Sequence, residues 1–182
     1  MSNNQPSQAD IIAALQAQSS SSRKNKPETT PYAAHAHPFS ALTTQQDNAK
    51  NSRRLYCPRE GCGSLILLAE TAQWIPAAGD LIPTVSGSPF TPTPPHPISN
   101  PPNSTVDGQA AYWHITGGPM AFENVGYSRP SDKSLPPSAP GMGSGKKVKW
   151  LICADCDLGP IGWSFEGGSE SWLDVGRVRY GP

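Results

Sequence analysis

Charge and apolar side chains are what this 182-residue chain has least of: 15% of its residues are Asp, Glu, Lys or Arg and 36% are hydrophobic. The 14 basic and 14 acidic residues cancel to zero net charge. That balance leaves no global field to steer the chain onto nucleic acid or an anionic membrane, so recognition falls to a local surface. No apolar run approaches the roughly 18 to 20 residues that span a bilayer, and the N-terminus lacks the charged-then-apolar order of a signal peptide. The expectation is a cytosolic protein, monomeric by itself. Cysteine is scarce as well, with four in all.

Proline and glycine are abundant, at 21 and 17 residues, and they divide the chain. Residues 1–50 are mostly Ser, Ala, Gln, Asn and Pro and read as a disordered tail, with too little apolar surface to offset the entropy of ordering. The short apolar stretch from Ile11 to Leu15 can form a helical turn or two but is too short to persist alone. Residues 51–182 read as one small domain with low-complexity insertions near 75–104 and 128–146. The first holds eight prolines between Pro83 and Pro102, which can donate few ladder hydrogen bonds. The tail, the stretch from Pro83 to Pro102 and the stretch from Ser128 to Gly145 are expected to be dispensable for folding.

The remaining blocks alternate with period two. Trp113 and Ile115 fall on one strand face and Tyr112, His114 and Thr116 on the other, before Gly117-Gly118-Pro119 turns the chain. Val148, Trp150 and Ile152 alternate with Lys147, Lys149 and Leu151 and lead into Cys153; Arg177 to Tyr180 alternate again. These blocks predict an all-β fold of short strands, small enough to need a staple.

Cys57-x4-Cys62 and Cys153-x2-Cys156 supply that staple as a Zn2+ site, because close cysteine pairs at strand ends are how small β domains present four thiolates to a tetrahedral ion. Two disulfides are the competing reading, disfavoured in a reducing compartment. A redox dithiol at Cys153-Ala154-Asp155-Cys156 is another, but it lacks the βαβ context that such motifs use. Four ligands complete the shell, so His114 is expected to face solvent rather than the ion. The acids around the second pair, Asp155, Asp157, Glu166, Glu170 and Asp174, replace the basic stripe that nucleic-acid binding requires.

Two strings resemble a known family. Cys153 to Trp163, CADCDLGPIGW, is similar to the signature of the Rab-interacting factors, zinc-binding suppressors of secretory Rab mutants. Phe122 to Tyr127, FENVGY, resembles the string that lies upstream of the family's second cysteine pair. With the Tyr112-Trp113-His114 strand, the Cys62-Gly63-Ser64 turn and Arg177-Val178, the resemblance covers about half of the chain. It implies a β-tent, twisted antiparallel sheets with one structural zinc pinning two hairpins. It also implies binding to nucleotide-free Rab GTPases of the secretory pathway, with GDP release or chaperoning of the empty Rab and no covalent catalysis. The chain departs from the pattern in its four-residue first knuckle, where two is common, and in its insertions. A methionine sulfoxide reductase on a similar scaffold would need a cysteine beyond the four ligands. The residues that the resemblance nominates for Rab contact are Asp155, followed by Phe122, Glu123 and Asn124, with Asp157 a weaker candidate. Each has an alternative: Asp155 as a cap of knuckle N–H groups, Phe122 as core, Glu123 and Asn124 as turn formers. A structural zinc module with a partner other than a Rab is the remaining functional alternative.

Overall fold

The computed structural model describes residues 7–13, 26–44, 48–77, 79, 81–83, 110–133, 135–143 and 145–182. They form two antiparallel sheets. The smaller contains β1 (Thr30–Pro31), β2 (Leu55–Tyr56), β3 (Leu65–Leu67) and β10 (Arg179–Tyr180) in the order β1-β10-β2-β3. The larger contains β4 (Ala72–Ala77), β5 (Ala110–Ile115), β6 (Val125–Tyr127), β7 (Val148–Cys153), β8 (Gly162–Phe165) and β9 (Ser171–Asp174) in the order β4-β5-β9-β8-β7-β6. The all-β expectation is therefore met. No helix among the described residues is long and apolar enough to cross a membrane.

Alternation along β5 shows how the core is built. Trp113 and Ile115, fully buried, face the smaller sheet with Trp74, Leu151, Cys153 and Leu173. Tyr112 faces the other way, joining Val148, Trp163, Phe165 and Trp172 in a second cluster. In the register, Gln73, His114, Trp172, Trp163 and Trp150 make one row across five strands. Within it Trp172 stacks on both His114 and Trp163, at 5.2 and 5.8 Å between ring centroids. A sheet with rings on its second face must cover that face too.

Residues just before the proline-rich stretch, and the Ser/Pro/Gly loop expected to be dispensable, provide the cover. Leu81 and Ile82 precede the proline-rich stretch, Leu135 and Ala139 belong to the Ser/Pro/Gly loop, and all four are buried against the aromatic row. Gly141, with φ +74°, lies so close to Trp172 that a Cβ would run into the ring. Arg177, itself buried, ties the cover down by donating to the carbonyls of Ile82 at 3.0 Å and Pro160 at 3.1 Å. The 75–104 insertion is also corrected at its start, because Ile75 to Ala77 continue β4. Residues 84–109 lie outside the described residues. Loop composition misled here because two or three apolar residues suffice to seal an aromatic face.

The tail assigned to residues 1–50 is corrected over residues 26–44. β1 pairs with β10, Thr30 opposite Tyr180, and a short helix, α1 (Pro38–Leu42), follows. Tyr32 and Leu42 are buried in the main core, and Phe39 meets Trp74 edge-on at 5.5 Å. Residues 8–13 are helical, opened by reciprocal hydrogen bonds between Ser7 and Asp10, and exposed.

Asn51 closes the seam between the sheets and is fully buried. Its Nδ2 donates to the carbonyls of Arg53 and Leu68, at 2.9 and 2.8 Å. Its Oδ1 accepts from the N–H groups of Thr71 and Ala72, at 3.0 and 2.8 Å. Asn51→Ala strands four backbone groups, so it should cost about 3 kcal/mol or more, since buried unpaired groups are penalised individually. Urea titration of the purified variant checks this; a midpoint equal to wild type would show that water replaces the amide.

Candidate metal centre and docking surface

Each cysteine pair sits where a hairpin reverses. Cys57 follows β2 and Cys62 precedes β3; Cys153 ends β7 and Cys156 lies in the turn toward β8. The first hairpin belongs to the smaller sheet and the second to the larger, so the four sulfurs meet where the sheets converge. All four ligand atoms lie within 4.8 Å of one another. Cys57 Sγ is 3.5 Å from Cys156 Sγ, and Cys62 Sγ is 3.8 Å from Cys153 Sγ. A tetrahedron of thiolates about 2.3 Å from a central ion has edges of about 3.8 Å. The donor set therefore fits a tetrahedral, thiolate-preferring metal ion, and the cysteines are free rather than disulfide-bonded.

The two knuckles share a backbone solution despite their unequal lengths. N–H groups two residues beyond a ligand point at sulfur: Arg59 at Cys57, Ser64 at Cys62, Leu158 at Cys156. The residue after the second ligand is left-handed in each, Gly63 at φ +69° and Asp157 at φ +57°. The two extra residues of the first knuckle are absorbed by Gly61, also left-handed at φ +78°. That geometry gives Asp157 a local structural role, as Asp tolerates this region better than most non-glycine residues.

Burial pushes the Cys57 and Cys62 thiols up. At Cys156 burial acts in the same sense, but the Leu158 N–H and the neighbouring thiols more than offset it and lower the pKa. Four thiols sharing so small a volume cannot all ionise without a cation, and a bound divalent ion reverses that logic by deprotonating its ligands outright.

The nominated contact residues separate in the structure. Asp155 is exposed at the tip of the second knuckle and caps no N–H group among the described residues. Glu123 is exposed as well, its backbone N–H bound to the Ile66 carbonyl at 3.1 Å. Phe122 takes the core alternative in the isolated chain: it follows the turn Gly118–Ala121, is 9% exposed and packs edge-on against Tyr127. Asn124 is half-buried, with its Nδ2 turned inward to the Leu65 carbonyl at 2.9 Å. His114 does not face open solvent; its Nε2 lies 2.8 Å from Glu170 Oε1, on the sheet face opposite the sulfurs.

Two features went unread in the sequence. Met120, beside Phe122 in the 3-10 turn Gly118–Ala121, is 92% exposed, a large apolar side chain with nothing covering it. Lys26 lays its aliphatic stem against Gly63, next to the first knuckle. No periodicity marks a residue in an irregular segment, so neither had a detectable signal. The family model described as Mss4 protein matches residues 50–180, well over half of the chain and inclusive of all four cysteines.

Proposed function

This chain belongs to the Mss4 family, and on that premise we propose that it binds a secretory-pathway Rab GTPase in the nucleotide-free state and promotes release of GDP. The four thiolates hold one Zn2+, a structural ion whose chemistry is to fix the two knuckles. The observation that carries the reading is Asp155, an exposed carboxylate set between two metal-ligating cysteines in a chain of this family.

Nucleotide release needs no covalent step. A ligand empties a nucleotide site by binding the open conformation far better than the loaded one. A carboxylate fixed by a knuckle loses little entropy on docking, attracts the basic side chains that phosphate would otherwise engage, and repels phosphate itself. Met120 and Glu123, both exposed, add apolar and acidic surface in the segment that leads to Asn124.

Release of a fluorescent GDP from a panel of Rabs tests the reading. Asp155→Ala should weaken the response on the order of thirtyfold while leaving metal content and melting unchanged. Glu123→Ala should cost less, since salt screens an exposed carboxylate. A panel in which no Rab responds to folded, zinc-loaded wild type would leave this chain as a metal-pinned module for another partner.

A further inference from the structure

The exposed arm of the second knuckle consists of two residues, Ala154 and Asp155, strung between ligands Cys153 and Cys156. A bound ion fixes both ends of that arm but not the rotation of the peptides between them. Within the knuckle, Cys153 N–H donates to Leu158 and Asp157 N–H to Cys153; neither bond reaches the arm. The backbone hydrogen bond that does is made from outside. The Ala154 N–H donates to the Asn124 carbonyl at 3.1 Å.

Asn124 is itself held from the opposite hairpin. Its Nδ2 donates to Leu65 in β3, the preceding Glu123 N–H donates to Ile66, and the following Val125 pairs with Cys153. Three consecutive residues thus tie the β2–β3 hairpin to the second knuckle without using a sulfur. The tie ends on the Cys153–Ala154 peptide, one peptide unit short of Asp155.

We infer that Asn124 is a positioning residue for docking: it sets the direction of the Asp155 carboxylate through the Ala154 peptide and makes no contact with the partner through its own amide. The inference rests on the Rab reading above. It requires an amide at this place, since Ala lacks the donor and Asp, of the same shape, turns an oxygen toward the Leu65 carbonyl. Losing the bond to Leu65 leaves Asn124 held only through its neighbours Glu123 and Val125, which lets its carbonyl shift and the arm with it.

The experiment measures GDP release from a responsive Rab against concentration of the zinc-loaded full chain. The variants are Asn124→Ala, Asn124→Asp, Asp155→Ala and the double variant Asn124→Asp/Asp155→Ala. Each Asn124 variant should raise the half-saturating concentration on the order of tenfold, and the double variant should be no worse than Asp155→Ala alone, the signature of two residues acting as one unit. Bound Co2+ should keep its thiolate charge-transfer bands, and Val178→Ala, a core truncation in the chain between β9 and β10, should leave half-saturation unchanged. Fully additive losses would show that Asn124 meets the partner directly and overturn the inference. Loss of the cobalt bands, or Asn124 variants equal to wild type, would overturn it as well. If instead Asp155→Ala is silent, the docking role of that carboxylate fails, an outcome distinct from the failure of Asn124 alone.

Discussion

Chelating the metal from this protein should unfold it rather than loosen it. The sulfurs join a hairpin of the four-stranded sheet to a hairpin of the six-stranded one, and β2, β3 and β10 are only two or three residues long. Such strands cannot hold their register by hydrogen bonds alone. A structural zinc contributes on the order of 10 kcal/mol of folding free energy, comparable to the whole net stability of a domain at roughly 5 to 15 kcal/mol. Elemental analysis should find close to one zinc per chain. Circular dichroism after chelation should show cooperative loss of β structure, and Cys153→Ser, at the buried end of β7, should behave alike. A chain that stays folded and metal-free would reject the site as a staple.

Deleting residues 1–44 should be nearly as damaging, although the family match begins only at residue 50. The deletion removes β1 and withdraws Tyr32, Phe39 and Leu42 from Trp74 and the main core. Burying side chains of this size is worth roughly 1.5 to 3 kcal/mol each, so the loss should be about 5 kcal/mol or more. Removing residues 1–25 alone, whose composition supplies little core, should shift stability by less than about 1 kcal/mol. Leu42→Ala isolates one contact and should cost about 2 to 5 kcal/mol by opening a cavity. A further check comes from Tyr32, whose phenol is pushed up to about 12 by burial, with the Asp174 charge adding to it. The folded chain keeps that proton after the unfolded chain has lost it, so stability from this group is complete below about pH 10 and declines as pH rises toward 12. Equal urea midpoints for the full chain and residues 45–182 would show that the segment is not docked.

The metal centre was the most legible part of the sequence. Paired spacing picks out the four cysteines that cluster, and the glycines beside Cys62 announce the left-handed turns that a knuckle needs. Strand faces were legible in β5; in β7 the alternation was legible but not which face is deeper, since Leu151, grouped with the lysines, is fully buried while Trp150 and Ile152 are half-buried. Docked irregular segments were not. Tyr32, Leu42, Leu81, Ile82, Leu135 and Ala139 each lie in stretches whose average composition is that of a loop, and an average hides the one or two side chains that pack. The orientations of Asn124 and Phe122 were illegible for a different reason: a motif states which residues recur together, not which way each side chain turns.

The sequence by itself therefore determined the local chemistry: four thiols in two close pairs, strands of period two, and an acid between two cysteines. Those follow from spacing along the chain, where neighbours are fixed by covalent geometry. Only the tertiary structure decided what covers each sheet face, that Asn51 saturates the seam, and that Asn124 reaches across to Leu65 while Asp155 stays free. Each of those outcomes depends on groups brought together from distant parts of the chain, 59 positions apart for Asn124 and Leu65. Their partners are chosen by packing and by the need of buried polar groups for hydrogen bonds, and neither leaves a periodic mark in the sequence.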